Sequence, residues 1–127
     1  MKKSIVVSAQ PTKFSVLAFK EDFEKSIKKV ADLGFDSAEL AVRNPKDLKV
    51  ENIINIIKGN NLEVLAIGTG QACGEEGLSF SDPNEIIRKM AVNRVDTHGL
   101  ARGYLLCLLK PKEIFNYGKT YTCGNCW

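Results

Sequence analysis

The sequence predicts an α/β fold built on a parallel sheet, and three observations carry that expectation. Apolar runs begin near residues 4, 37 and 62, a spacing of roughly 30 residues that suits strand-plus-crossover-helix units. Between them, apolar residues recur at helical spacing. The strands are nearly continuous in apolar character, as expected where both faces of a sheet are covered or filled. Such a sheet is either doubly wound or closed into a barrel.

Residues 4–9, "SIVVSA", are a short β-branched run suited to a buried strand. Phe23, Ile27, Val30 and Ala31 then share one helical face, with Lys25, Lys28 and Lys29 left for water. Asp22 is a start signal for this helix, and Gly34 supplies the positive φ that ends it. "FDSAELAV", residues 35–42, returns as a strand and "RNPKD" breaks it. Val50, Ile53, Ile54 and Ile57 form a second helical stripe, closed by Gly59, Asn60 and Asn61. Residues 62–67 are a third strand. After a glycine-containing loop, "SDPNEIIRKMAVNRVDTH" reads as a third helix capped by Ser81 or Asp82, with Pro83 in its first turn. Ile86, Ile87, Met90 and Val95 supply its apolar side. Residues 104–109 are a candidate fourth strand, and no clear periodicity follows Lys110.

Bulk properties bound the function. At 127 residues the chain is one domain's worth and can bury a core. Its 18 basic and 15 acidic residues leave a net charge of +3 with no dense basic stripe, which argues against a nucleic-acid partner. The apolar stretch at residues 5–7 is shorter than the roughly 7–15 residues of an export signal, and nothing reaches the length of a membrane span. A cytoplasmic location is expected. Cys73, Cys107, Cys123 and Cys126 are too unevenly placed for a secreted disulfide framework.

Few stretches carry chemistry. Gly68-Thr69-Gly70 lacks the third glycine of a dinucleotide fingerprint and follows the third strand instead of the first. No Walker ending is present, and about a dozen residues separate the loop from the next expected helix, too far for that helix's dipole to act. What remains is either a plain connection or a loop at the carboxyl end of a parallel strand, where α/β folds place ligands. Glu39 is a carboxylate in a strand otherwise fit for burial, so it needs a partner or a polar cavity. Alternation puts Glu39, Ala41 and Arg43 on one face, so Arg43 is its expected ion-pair partner, and a substrate-facing role is the other reading. Ser8 and Gln10 end the first strand on one parity. His98, the sole histidine, stands at a helix end, where capping or surface exposure is its expected role. The lone Cys123-Gly-Asn-Cys126 lacks the second pair that zinc needs and the following helix that a redox motif needs, so it reads as an incidental tail.

"LGFDSAELAVRNP", "LEVLAIGTGQA" and "EEGLSFSDPN" together resemble the amino-terminal part of the sugar phosphate isomerase/epimerase family, the xylose-isomerase-like TIM barrels. The resemblance covers about residues 3 to 98. It implies a partial (β/α)8 TIM barrel of about three βα units, with residues 1–98 as its amino-terminal part, the candidate fourth strand beyond them, and a divergent tail at 99–127. It also implies isomerisation or epimerisation of a sugar or sugar phosphate, with a divalent metal such as Mn or Mg in the intact family. Carried over by position, Gln10, Glu39, Arg43 and Gln71 line the barrel mouth and contact substrate, with Glu76 as a weaker addition. No metal ligand is assigned in this chain, because the family's ligands usually come from later strands. "GLARG", residues 99–103, resembles the close of the family's fourth strand arriving early, as a deletion or a changed reading frame after His98 would produce. The expectation is therefore an isomerase-like protein, truncated and inactive alone, or completed by self-association through its open sheet edge. The alternatives are a non-catalytic remnant or a small binding module using the CxxC tail.

Overall fold

The computed structural model describes residues 1–13 and 17–109. Strands β1 (Ser4–Ser8), β2 (Ser37–Ala41) and β3 (Glu63–Gly68) form one parallel sheet in the order β1-β2-β3. Helices α1 (Phe23–Asp32) and α2 (Val50–Gly59) make the two crossovers, while α3 (Gly70–Glu76) and α4 (Glu85–Leu109) follow β3. At this level the α/β class is as expected. No described helix is long and apolar enough to cross a membrane.

Local chemistry sets the crossovers. The Asp22 carboxylate accepts a hydrogen bond from the Lys25 backbone N–H at 3.0 Å, satisfying one of the free donors of α1's first turn. Gly34 takes a φ of +76° just past the helix, where a side chain would be strained. At the end of α2, Asn60 Nδ2 donates to the Ile56 carbonyl at 2.8 Å and Asn61 adopts a φ of +53°. Asn tolerates that conformation better than most residues, so "GNN" stops the helix as its composition predicts.

Period-two alternation divides the sheet. Val7, Ala38, Leu40, Val42 and Val64 face Ile27 and Val30 of α1, Ile53, Ile54 and Ile57 of α2, and Leu105 of α4 in one core cluster. Val6, Ser8, Glu39, Ala41, Ala66 and Gly68 share the opposite face through the registers Val6↔Glu39↔Ala66 and Ser8↔Ala41↔Gly68. A bulge keeps this division intact in β3. Ala38 pairs with Val64 but Glu39 pairs with Ala66, so Leu65 is the extra residue and is left 45% exposed. The bulge is what allows Val64 and Ile67, three apart, to pack on the same core.

Past β3 the structure departs from expectation in four places. Helix α3 opens at Gly70, immediately after the strand, so the glycine stretch is not a dozen-residue loop. Two glycines in seven residues hide this short helix from propensity arguments, and Gly77 closes it at a φ of +68°. The cap of α4 is Asn84, whose Oδ1 accepts from the Ile86 N–H at 2.9 Å, with Asp82 one step earlier accepting from the Asn84 N–H. Residues 104–109 continue α4 and do not form a fourth strand. Finally, Ile86, Met90 and Val95 are exposed, and the buried stripe of α4 runs through Ala91, His98 and Leu105 at seven-residue steps.

Ile57 is fully buried at the centre of the core cluster. Ile57→Ala should lower the unfolding free energy by about 2–5 kcal/mol. The matched change Ile86→Ala, at a residue 66% exposed, should alter it by no more than about 0.5 kcal/mol. Urea denaturation of the two variants checks the assignment of faces.

Candidate functional site

The carboxyl ends of the three strands and the segments that follow them gather most of the polar side chains singled out in the sequence. Gln10 anchors this rim. Its Oε1 accepts from the backbone N–H groups of Arg43 and Asn44 at 2.9 and 3.0 Å, and its Nε2 donates to the Asn44 carbonyl at 2.9 Å. One amide thereby ties the segment after β1 to the segment after β2. Gln71 of α3 donates through Nε2 to Ser8 Oγ at 2.9 Å, and that hydroxyl donates to the Gln10 carbonyl at 2.6 Å. These bonds seat α3 over the end of β1. The Oε1 atom of Gln71 is buried without a hydrogen-bond partner among the described residues.

A second layer is ionic. Arg43 pairs with Glu75 at 3.1 Å and with Glu76 at 3.6 Å, and Arg94 of α4 pairs with Glu76 at 2.7 Å. Thr12 donates a hydrogen bond to Glu75, and Arg94 Nη1 donates to the Arg43 carbonyl at 2.6 Å. Two guanidinium groups and two carboxylates thus join the end of β2, α3 and α4 in one ionic cluster. Arg94 and Glu75 belong to this arrangement although neither stood out in the sequence. They are charged residues in helical stretches, a pattern more often found on a solvated face.

Arg43 is therefore not the partner of Glu39. The ion pair expected from strand alternation does not form, because α3 brings Glu75 and Glu76 to the guanidinium instead. Glu39 is half-buried on the second face of the sheet and makes no hydrogen bond or ion pair among the described residues. Its Oε1 reaches toward the carboxyl end of β3, lying 2.9 Å from where a Cβ on Gly68 would stand. The missing side chain at Gly68 leaves the carboxylate that space. At the opposite end of the sheet the contrast is plain, since Glu63 is bound by Lys2 at 2.6 Å. Among the described residues no three His, Cys, Asp or Glu side chains converge as metal ligands. A shallow cleft of about 280 Å³ opens on the outer side of the rim beside Gln10, Arg43, Lys49 and Asn52, and Glu39 does not line it.

His98 corrects another expectation. It neither caps a helix nor faces solvent: it lies within α4, 4% exposed, with Nδ1 and Nε2 both without a hydrogen-bond partner among the described residues. Burial first, and the Arg94 guanidinium second, lower its proton affinity below the ordinary value of 6.5. The nearby Arg43 carbonyl opposes that shift without reaching hydrogen-bonding geometry. Cys73 is exposed on α3, while the Cys123–Cys126 motif lies outside the described residues.

No family model matches the chain. A tRNA-2-methylthio-N(6)-dimethylallyladenosine synthase of Bordetella avium (strain 197N) is 32% identical over 94 residues, covering 59% of this chain and 20% of its own length. The chain thus spans about a fifth of that relative. These findings overturn the likeness to sugar phosphate isomerases and epimerases, and with it the expected sugar chemistry and sugar ligand. The exclusion of nucleic acid falls as well, because this relative is named for a modified adenosine of tRNA. A net charge without a basic stripe was too weak a ground for it.

The rim geometry separates structural from free polar groups. Gln10→Ala removes three bonds to backbone and leaves two part-buried N–H groups unpaired, so it should destabilise the fold by about 1–3 kcal/mol. Gly68→Ala should cost less than about 1 kcal/mol, because only the flexible end of Glu39 must move aside. Equilibrium denaturation of both variants tests this order.

Proposed function

We propose that the chain is part of a parallel (β/α)8 barrel whose carboxyl rim binds a nucleoside within RNA, with Glu39 accepting hydrogen bonds from the base. The barrel is supported by the distribution of helices. α1, α2 and Leu105 of α4 pack on one face of the sheet, whereas a doubly wound sheet carries helices on both. The opposite face, with Val6, Glu39 and Ala66 half-buried and Leu65 exposed, has the character of a barrel interior awaiting further strands.

One observation carries the ligand assignment: the carboxylate of Glu39 has no partner among the described residues and points toward the end of the sheet where α/β folds bind ligands. An ionised carboxylate only accepts hydrogen bonds, so its ligand must present donors. The exocyclic amino group of adenine is such a donor. The relative's name, which refers to an adenosine of tRNA, supports the same class. Gln10, Arg43, Gln71 and Glu76 then shape the mouth around Glu39. A divalent cation would enter this site only with donors beyond the single carboxylate of Glu39.

Fluorescence anisotropy with a labelled RNA stem-loop containing an unpaired adenosine tests the proposal, with free adenosine as a competitor. Wild-type chain should bind, and Glu39→Gln should weaken binding about tenfold to a hundredfold, the worth of one charge-assisted hydrogen bond. Absence of binding, or equal affinity for the Glu39→Gln variant, would overturn it.

A further inference from the structure

His98 stands beside the ionic cluster without pairing with it among the described residues. In that cluster Arg43 pairs with Glu75 and Glu76, Arg94 pairs with Glu76, and Arg94 donates to the Arg43 carbonyl at 2.6 Å. A neutral imidazole, 4% exposed and without a hydrogen-bond partner among the described residues, leaves those pairs undisturbed. An imidazolium would not. It would place a second cation one turn from the Arg94 guanidinium on the same helix, on a ring that is itself almost wholly removed from water.

We propose that His98, Arg94 and Arg43 form a pH-sensitive clasp that holds α3 and α4 to the end of β2 while His98 is neutral and loosens when His98 is protonated. Among the described residues, the groups facing His98 are Arg94 on its own helix and the Arg43 carbonyl beyond β2, with Glu76 and Glu75 of α3 reached through the two guanidinium groups. Displacing Arg94 from the Arg43 carbonyl also draws it off Glu76, one of the three ion pairs that anchor α3. The segment released is the one that seats Gln71 over Ser8, so the rim itself opens.

The sign follows from proton linkage. His98 holds its proton less readily in the closed clasp than in an opened one, so opening is favoured as pH falls below the ordinary value of 6.5. Above that value the closed form keeps its full advantage. Below it the opening equilibrium rises by at most about tenfold per pH unit, until His98 is protonated in the closed form too.

Hydrogen exchange followed by mass spectrometry, corrected for the intrinsic pH dependence of exchange, tests this on the intact chain between pH 7.5 and 5.5. Amides of α3, such as Ala72 and Gly77, should lose up to about tenfold of their protection per pH unit, while Ile27 and Val30 of α1 keep theirs. His98→Gln should abolish the pH response. Should that variant fail to fold, Arg94→Gln supplies the second test, its α3 amides exchanging rapidly at both pH values. Protection of α3 that does not change with pH, a response that persists in His98→Gln, or equal loss in α1 and α3 would overturn the proposal.

Discussion

The alternation of β2 is the constraint on which the remaining structure depends. As the central strand it has a neighbour on each side, and its side chains must divide between two unlike faces. Ala38, Leu40 and Val42 enter the core with three helices, and Ser37, Glu39 and Ala41 take the other side. A shift of one residue would carry Glu39 into the apolar core and expose Leu40, which makes the register costly to change. The bulge at Leu65 and the open space over Gly68 both accommodate this division.

Above the sheet, polar side chains do what the apolar core cannot. Gln10 stitches two loops together through backbone groups, and Gln71 fastens α3 to Ser8. The Arg43, Glu75, Glu76 and Arg94 cluster then joins α3 to α4. Partly exposed ion pairs contribute little stability singly, so their value here lies in fixing positions across three segments. Glu39 is left out of every one of these contacts.

The first two-thirds of this architecture was legible in sequence because local signals and burial agree there. Asp22, Gly34 and the "GNN" stop each have a mechanism that acts within a few residues. The rim was legible only in part. Gln10, Arg43, Gln71 and Glu76 do gather with Glu39 at the carboxyl end, but the partner of Arg43 is decided by α3, a helix with too many glycines to announce itself. In α4, apolar residues occur on several sides, so periodicity pointed to Ile86, Met90 and Val95 while packing chose Ala91, His98 and Leu105. A buried histidine has no local signature at all. The likeness to sugar isomerases rested on short stretches around strands and loops, and such stretches follow the demands of an α/β fold as much as those of a reaction.

Glu39 bears the central claim, that this position is kept for a ligand at no benefit to the fold. The most direct measurement is the unfolding free energy of Glu39→Leu against wild type. A carboxylate with no partner adds nothing that leucine removes, so the account predicts equal or greater stability for the variant. A loss of about 3–5 kcal/mol, the cost of breaking a buried ion pair, would contradict it and return Glu39 to a structural role.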